Sequence, residues 1–427
     1  MKYITFLGVG GKNGYSNLKT YFGGEENSSH FTTTNLVQKH IYNSFKDQID
    51  RVYVFLTKES KEKYFDELSR IIKDQKIEEI LIDQNISSEQ FISHLIRVLD
   101  REDELILDVT HSFRKIPIRL LFALRYIEAM NQVKIRHIFY GEVENSNTED
   151  AYSIVHDLVK DYQMQKVAEY LTQFDRTLII RREDWEDLTM RDPIIESLLN
   201  ALATFNEMTE LCNLDSACTS VSKIVKSAKK IETKNQQAGS ENQYTLLIPL
   251  AKKIRQKFER VQNRKTEKEK LSEIIQIMLE HERYQIATTF TDELFNRELI
   301  RSIITPDAHK YDQKKIKEET GIEMSGSFMK NFSFKLSQFL KYKTELRKER
   351  PLHEREMKEL ENKLPLQTSN FKRVRRICKS NKSEINNFSS HIRNSMNHAS
   401  GVNSSIESQK GSLKSEITKM LNIISKF

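Results

Sequence analysis

Two short segments of this chain hold residue types whose spacing could do chemistry. Near the C-terminus it reads Ser389-Ser390-His391-Ile392-Arg393-Asn394-Ser395-Met396-Asn397-His398-Ala399. Histidine shuttles a proton near neutral pH. Arginine holds a phosphate and the negative charge that develops on it, and asparagine orients either. Arg393 and His398 stand five apart, which is about 140° around an ideal helix. One helix therefore does not pair them, whereas a cleft between two helices or two subunits would. The second segment is Asp108-Val109-Thr110-His111-Ser112-Phe113-Arg114. Thr110, His111 and Ser112 offer short donors and acceptors, and Arg114 offers a phosphate fork. A weaker signal is Gly8-Val9-Gly10-Gly11-Lys12-Asn13-Gly14. Its glycines let backbone N–H groups approach a phosphate, although it is neither the dinucleotide fingerprint nor a Walker loop.

The elements around these segments differ along the chain. Residues 1–160 alternate apolar runs with helical patterns. Tyr3–Leu7, Arg51–Leu56, Ile77–Ile82, Glu104–Asp108 and Val133–Tyr140 read as strands. Asn35–Phe45, Lys58–Ile72, Ser88 to about Leu99, and a Pro117-started segment to about Met130 read as helices. That alternation predicts a parallel, Rossmann-like sheet. Ligand sites in such sheets lie at the carboxyl ends of strands, where both the glycine loop and the Asp108–Arg114 segment fall. Beyond residue 160 the strand signal fades. Segments 163–173, 193–212, 219–231, 243–262, 267–282, 284–303, 383–398 and 410–426 have helical periodicity. Gln236–Asn242 reads as a loop, and a charged helical insertion is expected near 304–380. The domains expected are thus 1–160, α/β, and 161–427, all-α.

Composition narrows the class. Among 427 residues there are 12 Gly and 6 Pro, with 38% hydrophobic and 30% charged residues. Gly and Pro this scarce argue against a turn-rich all-β protein or a Pro/Gly-rich disordered chain. Charges interrupt every long apolar stretch, as Arg119 and Arg125 interrupt 116–130, so no membrane span is expected. The N-terminal apolar run is too short for a signal peptide. Three cysteines are too few for a disulfide scaffold, which fits a reduced, cytoplasmic protein. Net charge is +7. Residues 1–160 hold 21 Lys and Arg against 24 Asp and Glu, so the positive excess lies in the remainder, the better candidate to meet a polyanion. No metal-ligand spacing is visible, so metal-independent chemistry with no cofactor is expected.

The segment Asp108–Arg114 resembles the D-x-T-H-[GS]-x-R signature of CARF domains, the Rossmann-like sensors of type III CRISPR-associated proteins. Phe6-Leu7-Gly8-x-Gly10 and the Arg51–Lys58 strand ending in Leu-Thr-Lys fit the same family. The resemblance covers roughly residues 1–155. It implies a homodimer or higher oligomer binding cyclic oligoadenylate across its two-fold axis, with Gly8, Gly10, Gly11, Thr57, Thr110, His111, Ser112 and Arg114 lining the ligand. Ser112 stands where many relatives have glycine. The segment Arg393–His398 is similar to the R-x-x-x-x-H motif of HEPN ribonucleases, helical bundles that set two such motifs face to face.

Together the two resemblances imply an activated endoribonuclease of antiviral defence that cleaves single-stranded RNA. The 2′-hydroxyl would attack the adjacent phosphorus, leaving a 2′,3′-cyclic phosphate. His398 would act as general base or acid, Arg393 would stabilise the phosphorane, and Asn394 or Asn397 would position the groups. Thr110, His111 and Arg114 are also compatible with cleavage of the cyclic ligand itself. Two alternatives are a ligand-responsive, non-catalytic regulator binding nucleic acid or protein through its helical half, and a nuclease whose N-terminal half merely dimerises. If the helical motif is catalytic, Arg393→Ala or His398→Ala should lower RNA cleavage at least ~100-fold with an unchanged melting temperature. Full cleavage by the purified His398→Ala protein would refute the assignment.

Overall fold

The computed structural model describes residues 1–10, 15–23, 31–72, 76–111, 115–131, 133–186 apart from 147 and 149, 188, 190–234, 244–303, 373–388 apart from 375 and 379, and 406–427. The chain divides into two compact units, residues 1–167 with 186–191, and residues 168–185 with 192–427.

The first unit is built around three strands, Lys2–Leu7, Arg51–Leu56 and Glu104–Asp108, that are buried on both sides. β1 (Lys2–Leu7), with β2 (Leu18–Phe22) and β3 (Thr32–Thr34), precedes α1 (Val37–Phe45) and β4 (Arg51–Leu56). There follow α2 (Lys58–Ser60), a π-helical turn (Lys61–Phe65), α3 (Asp66–Ile72), β5 (Ile77–Leu81), α4 (Ser88–Val98), β6 (Glu104–Asp108), α5 (Lys115–Asn131), β7 (Lys134–Glu144) and β8 (Tyr152–Asp157). The eight strands form one sheet in the order β3-β2-β8-β7-β6-β1-β4-β5. From β7 to β5 all neighbours are parallel. β8 runs antiparallel to β7, and β3 antiparallel to β2.

The expected parallel sheet is therefore one side of a mixed one, running from β7 to the edge strand β5. Its five parallel strands follow five of the six positions of a doubly wound sheet, with the order reversing between β1 and β6. The strands β2, β3 and β8 fall outside the sequence-based expectation, and β7 continues past Tyr140 to Glu144.

Side chains alternate across the sheet. Ile4, Phe6, Leu105 and Leu107 pack with Phe91 and Leu95 of α4 and Leu120, Leu124 and Ile127 of α5. Tyr3, Leu7 and Ile106 pack on the opposite face with Val37 and Ile41 of α1 and Leu68 and Ile72 of α3. Burial on both faces is why β1, β4 and β6 read as continuous apolar runs. Ser87 caps α4, exchanging hydrogen bonds with Gln90. Phe91 and Leu95 of that helix are buried as its periodicity predicts, whereas Ile96 is exposed.

The second unit is helical among its described residues. It holds the C-terminal half of α6 (Val159–Thr177), then α7 (Pro193–Glu210), α8 (Leu214–Lys234), α9 (Ile248–Gln262), α10 (Glu267–Glu280), α11 (Tyr284–Ile303), α12 (Lys382–Asn386) and α13 (Ile406–Ser425), with a short 3-10 turn at Arg182–Asp184. Phe174, Phe205 and Phe258 meet at its centre, with ring centroids 4.9–6.4 Å apart. Asp192 caps α7 at the backbone N–H groups of Ile194 and Ile195, and the Tyr244 hydroxyl donates to its other oxygen. The expected loop 236–242 and most of the expected insertion at 304–380 lie outside the described residues.

Burial also places a titrating group in the first unit. His40 is buried beside Thr32 Oγ1, 3.0 Å from its Nδ1, and burial pushes its pKa down from 6.5 to about 4. Between those values the unfolded chain binds the proton and the folded one does not, so acidification destabilises the fold. The cost of this one group approaches an order-of-magnitude ~3 kcal/mol near pH 4. His40→Gln should therefore melt below wild type at pH 7, and the gap should narrow as the pH is lowered to 4.5. A gap in melting temperature that does not change with pH would contradict this.

Candidate functional site

The point where the sheet reverses its order lies between the carboxyl ends of β1 and β6, and a buried carboxyl group organises it. Asp108 ends β6 and is fully buried. It lies on the α1 face with Tyr3 and Thr5 of the neighbouring β1. Thr5 Oγ1 donates to Asp108 Oδ2 at 2.7 Å, and the Tyr3 hydroxyl lies 3.3 Å from the same oxygen. The backbone N–H of Thr110 donates to Oδ1 at 3.0 Å, the Asx-type bond two residues ahead that turns a chain out of a strand. Burial, with the Asp108 carboxyl beside it, holds the Tyr3 phenol well above its ordinary pKa. A buried polar group left unpaired is costly, so these donors fix both the end of β6 and the direction of the chain beyond it.

That turn places Thr110 and His111 above the strand ends. Thr110 Oγ1 accepts from the backbone N–H of Gly141 in β7 at 2.8 Å. A Cβ at Gly141 would lie 3.0 Å from Thr110 Cγ2 and 3.1 Å from Val37 Cγ2, so any larger residue would have to push those methyl groups aside by a few tenths of an ångström. The His111 ring lies 4.2 Å, centroid to centroid, from that of Tyr15, which in turn lies 4.9 Å from Tyr64. His111 Nε2 is buried and has no hydrogen-bond partner among the described residues. Burial lowers the pKa of His111, and the Asp108 carboxyl raises it by less. The ring is thus favoured neutral, with one nitrogen a donor and the other an acceptor.

Tyr15, which follows the glycine loop in sequence, packs back against its first glycine. Tyr15 Oη sits against Gly8, where an added Cβ would lie 3.0 Å from it. Burial pushes the Tyr15 phenol up to about 12, while hydrogen bonds from the backbone at Gly10 and Gly8 pull against that rise. Gly10 has φ +71°, a left-handed conformation that favours glycine. Thr57 leaves β4 beside Gly8, because Leu7 and Leu56 are partners in register. It is buried and caps α2, exchanging hydrogen bonds with Ser60.

Of the residues expected at the ligand, the structure gathers Gly8, Gly10, Thr57, Thr110 and His111 at the carboxyl ends of three adjacent strands. Gly11, Ser112 and Arg114 lie outside the described residues, as do Arg393, Asn394, Asn397 and His398. Tyr15, Tyr64 and Gly141 belong to this site without having been anticipated. An aromatic residue directly after the glycine loop was the signal for Tyr15. Gln38, also unanticipated, is fully buried near the end of β1, where its Nε2 donates to the Phe6 carbonyl at 3.0 Å and its Oε1 has no described partner. Among the described residues no cluster of three or more His, Cys, Asp or Glu could hold a metal ion. None of the described helices is long and apolar enough to cross a membrane. Cys212 and Cys218 are half-buried and Cys378 is buried.

No family model matches the chain, and no curated protein matches it in sequence.

The close approach of Tyr15 to Gly8 gives a direct test. Gly8→Ala should destabilise the first unit by about 1–3 kcal/mol through overpacking. Tyr15→Phe, which removes the opposing oxygen, should recover part of that loss. The double-mutant cycle should show a coupling of about 0.5–3 kcal/mol. Strictly additive effects in urea unfolding would contradict the contact.

Proposed function

We propose that this chain is a cyclic-oligoadenylate-activated, metal-independent endoribonuclease of type III CRISPR defence, with a CARF-like sensor in its α/β unit and a HEPN-like nuclease in its helical unit. The observation that carries the reading is the polar site at the reversal point of the sheet. There Asp108, Thr110 and His111 stand at the end of β6, beside the glycines that follow β1. This is where an α/β sheet binds a nucleotide-like ligand. A neutral His111 ring with an unpartnered buried nitrogen and the adjoining, mutually tilted rings of Tyr15 and Tyr64 offer what an adenine and its ribose need: aromatic surface and a hydrogen-bonding atom. The resemblance of Asp108–Arg114 to the CARF signature supplies the identity of the ligand.

The homodimer has its own support. On α5, Ile118, Phe122, Tyr126 and Met130 recur every fourth residue and are 47–78% exposed. Such an apolar ridge suits packing against the same helix of a second chain, the self-complementary contact of a two-fold dimer.

In the nuclease, Arg393 and His398 would act as assigned above, with Asn394 and Asn397 positioning them. The ring activates only insofar as it binds the active arrangement better than the resting one. Purified protein with EDTA should cleave single-stranded RNA when cyclic tetra- or hexa-adenylate is added, and should leave 2′,3′-cyclic phosphate ends. Cleavage that EDTA abolishes and one divalent ion restores would show that the chemistry is different. A chain that binds the ring and cleaves nothing would favour the regulator.

A further inference from the structure

The outer face of α8 carries a row of lysines that the assigned sites do not use. Its buried side is formed by Leu214, Ala217, Val221, Ile224, Ala228 and Ile231. Opposite them, from Ser222 to Lys234, the exposed positions are Ser222, Lys223, Lys226, Lys229, Lys230, Thr233 and Lys234. No carboxylate stands among them. The one acidic residue of this stretch, Glu232, lies toward α9, where its carboxylate accepts from Arg255 at 2.6 and 3.1 Å. None of the five lysines forms an ion pair with a described residue.

Lysines at the carboxyl end of a helix complement its dipole. That accounts for Lys234 and for Lys230 one turn before it, but not for Lys223 and Lys226, which lie two to three turns inside. At a rise of 1.5 Å per residue, Lys223, Lys226, Lys230 and Lys234 span about 16 Å, with steps of about 5–6 Å. Neighbouring charges are thus closer than the roughly 8 Å screening length of physiological salt, and they repel one another. A polyanion relieves that repulsion and releases its own counterions in doing so. The chemistry of the face also selects among polyanions. It holds no aromatic, arginine or apolar anchor of the kind that forms the centre of a protein interface, where lysine is depleted. What it presents is a line of mobile point charges, which suits a phosphodiester backbone and reads no base.

We infer that the Lys223–Lys234 face of α8 is a docking surface for the phosphodiester backbone of single-stranded RNA, independent of base sequence. The partner's identity as RNA rests on the ribonuclease reading, while the charge geometry does not. The surface would hold the strand by its phosphates and leave cutting to other residues.

The test is fluorescence-anisotropy titration of the full chain with a labelled 20-nucleotide 2′-O-methyl-uridine strand, which has no free 2′-hydroxyl to attack. Lys223→Gln/Lys226→Gln/Lys230→Gln should lower the slope of log affinity against log salt by about 2, at ~0.7 per phosphate contact. If the two proteins converge at 1 M salt, the variant then binds about 100-fold more weakly at 0.1 M. Arginine at the same three positions should restore the slope, and Lys19→Gln/Lys39→Gln/Lys46→Gln in the α/β unit should leave it unchanged. A deoxyuridine strand binding equally well would support backbone recognition without choice of sugar. An unchanged slope in the triple variant, or wild type that binds poly-glutamate but not the strand, would overturn the proposal. Because this strand cannot be cleaved, those results stand apart from any failure of the nuclease reading, which is judged by cleavage of ordinary RNA.

Discussion

A carboxyl group with no access to water, at the end of the strand next to the sheet's centre, constrains the α/β unit more than any other single feature. Asp108 must be satisfied from within, and its donors come from two directions: Tyr3 and Thr5 across the β1–β6 pair, and the Thr110 backbone ahead of it in the chain. The first two tie the strands at the point where the sheet reverses its order. The third decides where the chain goes on leaving β6. Thr110 is thereby delivered to Gly141 and His111 to Tyr15. Replacing the carboxyl would leave those donors facing an apolar core, and the site above would lose its footing.

Several residues that look like ligand contacts are also framework. Thr57 is committed to a helix cap, Thr110 accepts from the backbone of β7, and Gly8 makes room for a tyrosine of its own chain. Among the described residues, unspent hydrogen-bonding capacity remains at the Nε2 of His111, beside the Tyr15 and Tyr64 rings, and at the Oε1 of Gln38.

What could be read from the amino-acid sequence follows from how local each cause is. β4 and β6 are visible to the residue because burial on both faces demands an unbroken apolar run, and the start of α4 is visible because Ser87 and Ser88 are residues of the type that cap a helix. β2 and β8 carry no unbroken apolar run, and their place comes from each other: Lys19–Phe22 pair with Tyr152–Val155, more than 130 residues away. No local pattern announces such a pairing. The same holds at the site. Asp108, Thr110 and His111 announce themselves by following an apolar strand. Tyr15 becomes a site residue only because the fold lays it against Gly8 and His111, and Gly141 only because Thr110 reaches across from β6.

The central claim is that this polar reversal point is where cyclic oligoadenylate is sensed. Isothermal titration of the full chain with cyclic tetra-adenylate and, separately, cyclic hexa-adenylate tests it most directly. The account predicts saturable binding of one ring size, at one ring for every two chains. Arg114→Ala should weaken it by roughly 10–150-fold, the value of a charge-assisted phosphate contact of about 1.5–3 kcal/mol. No binding of either ring by the folded wild-type protein, or binding that Arg114→Ala leaves untouched, would contradict it.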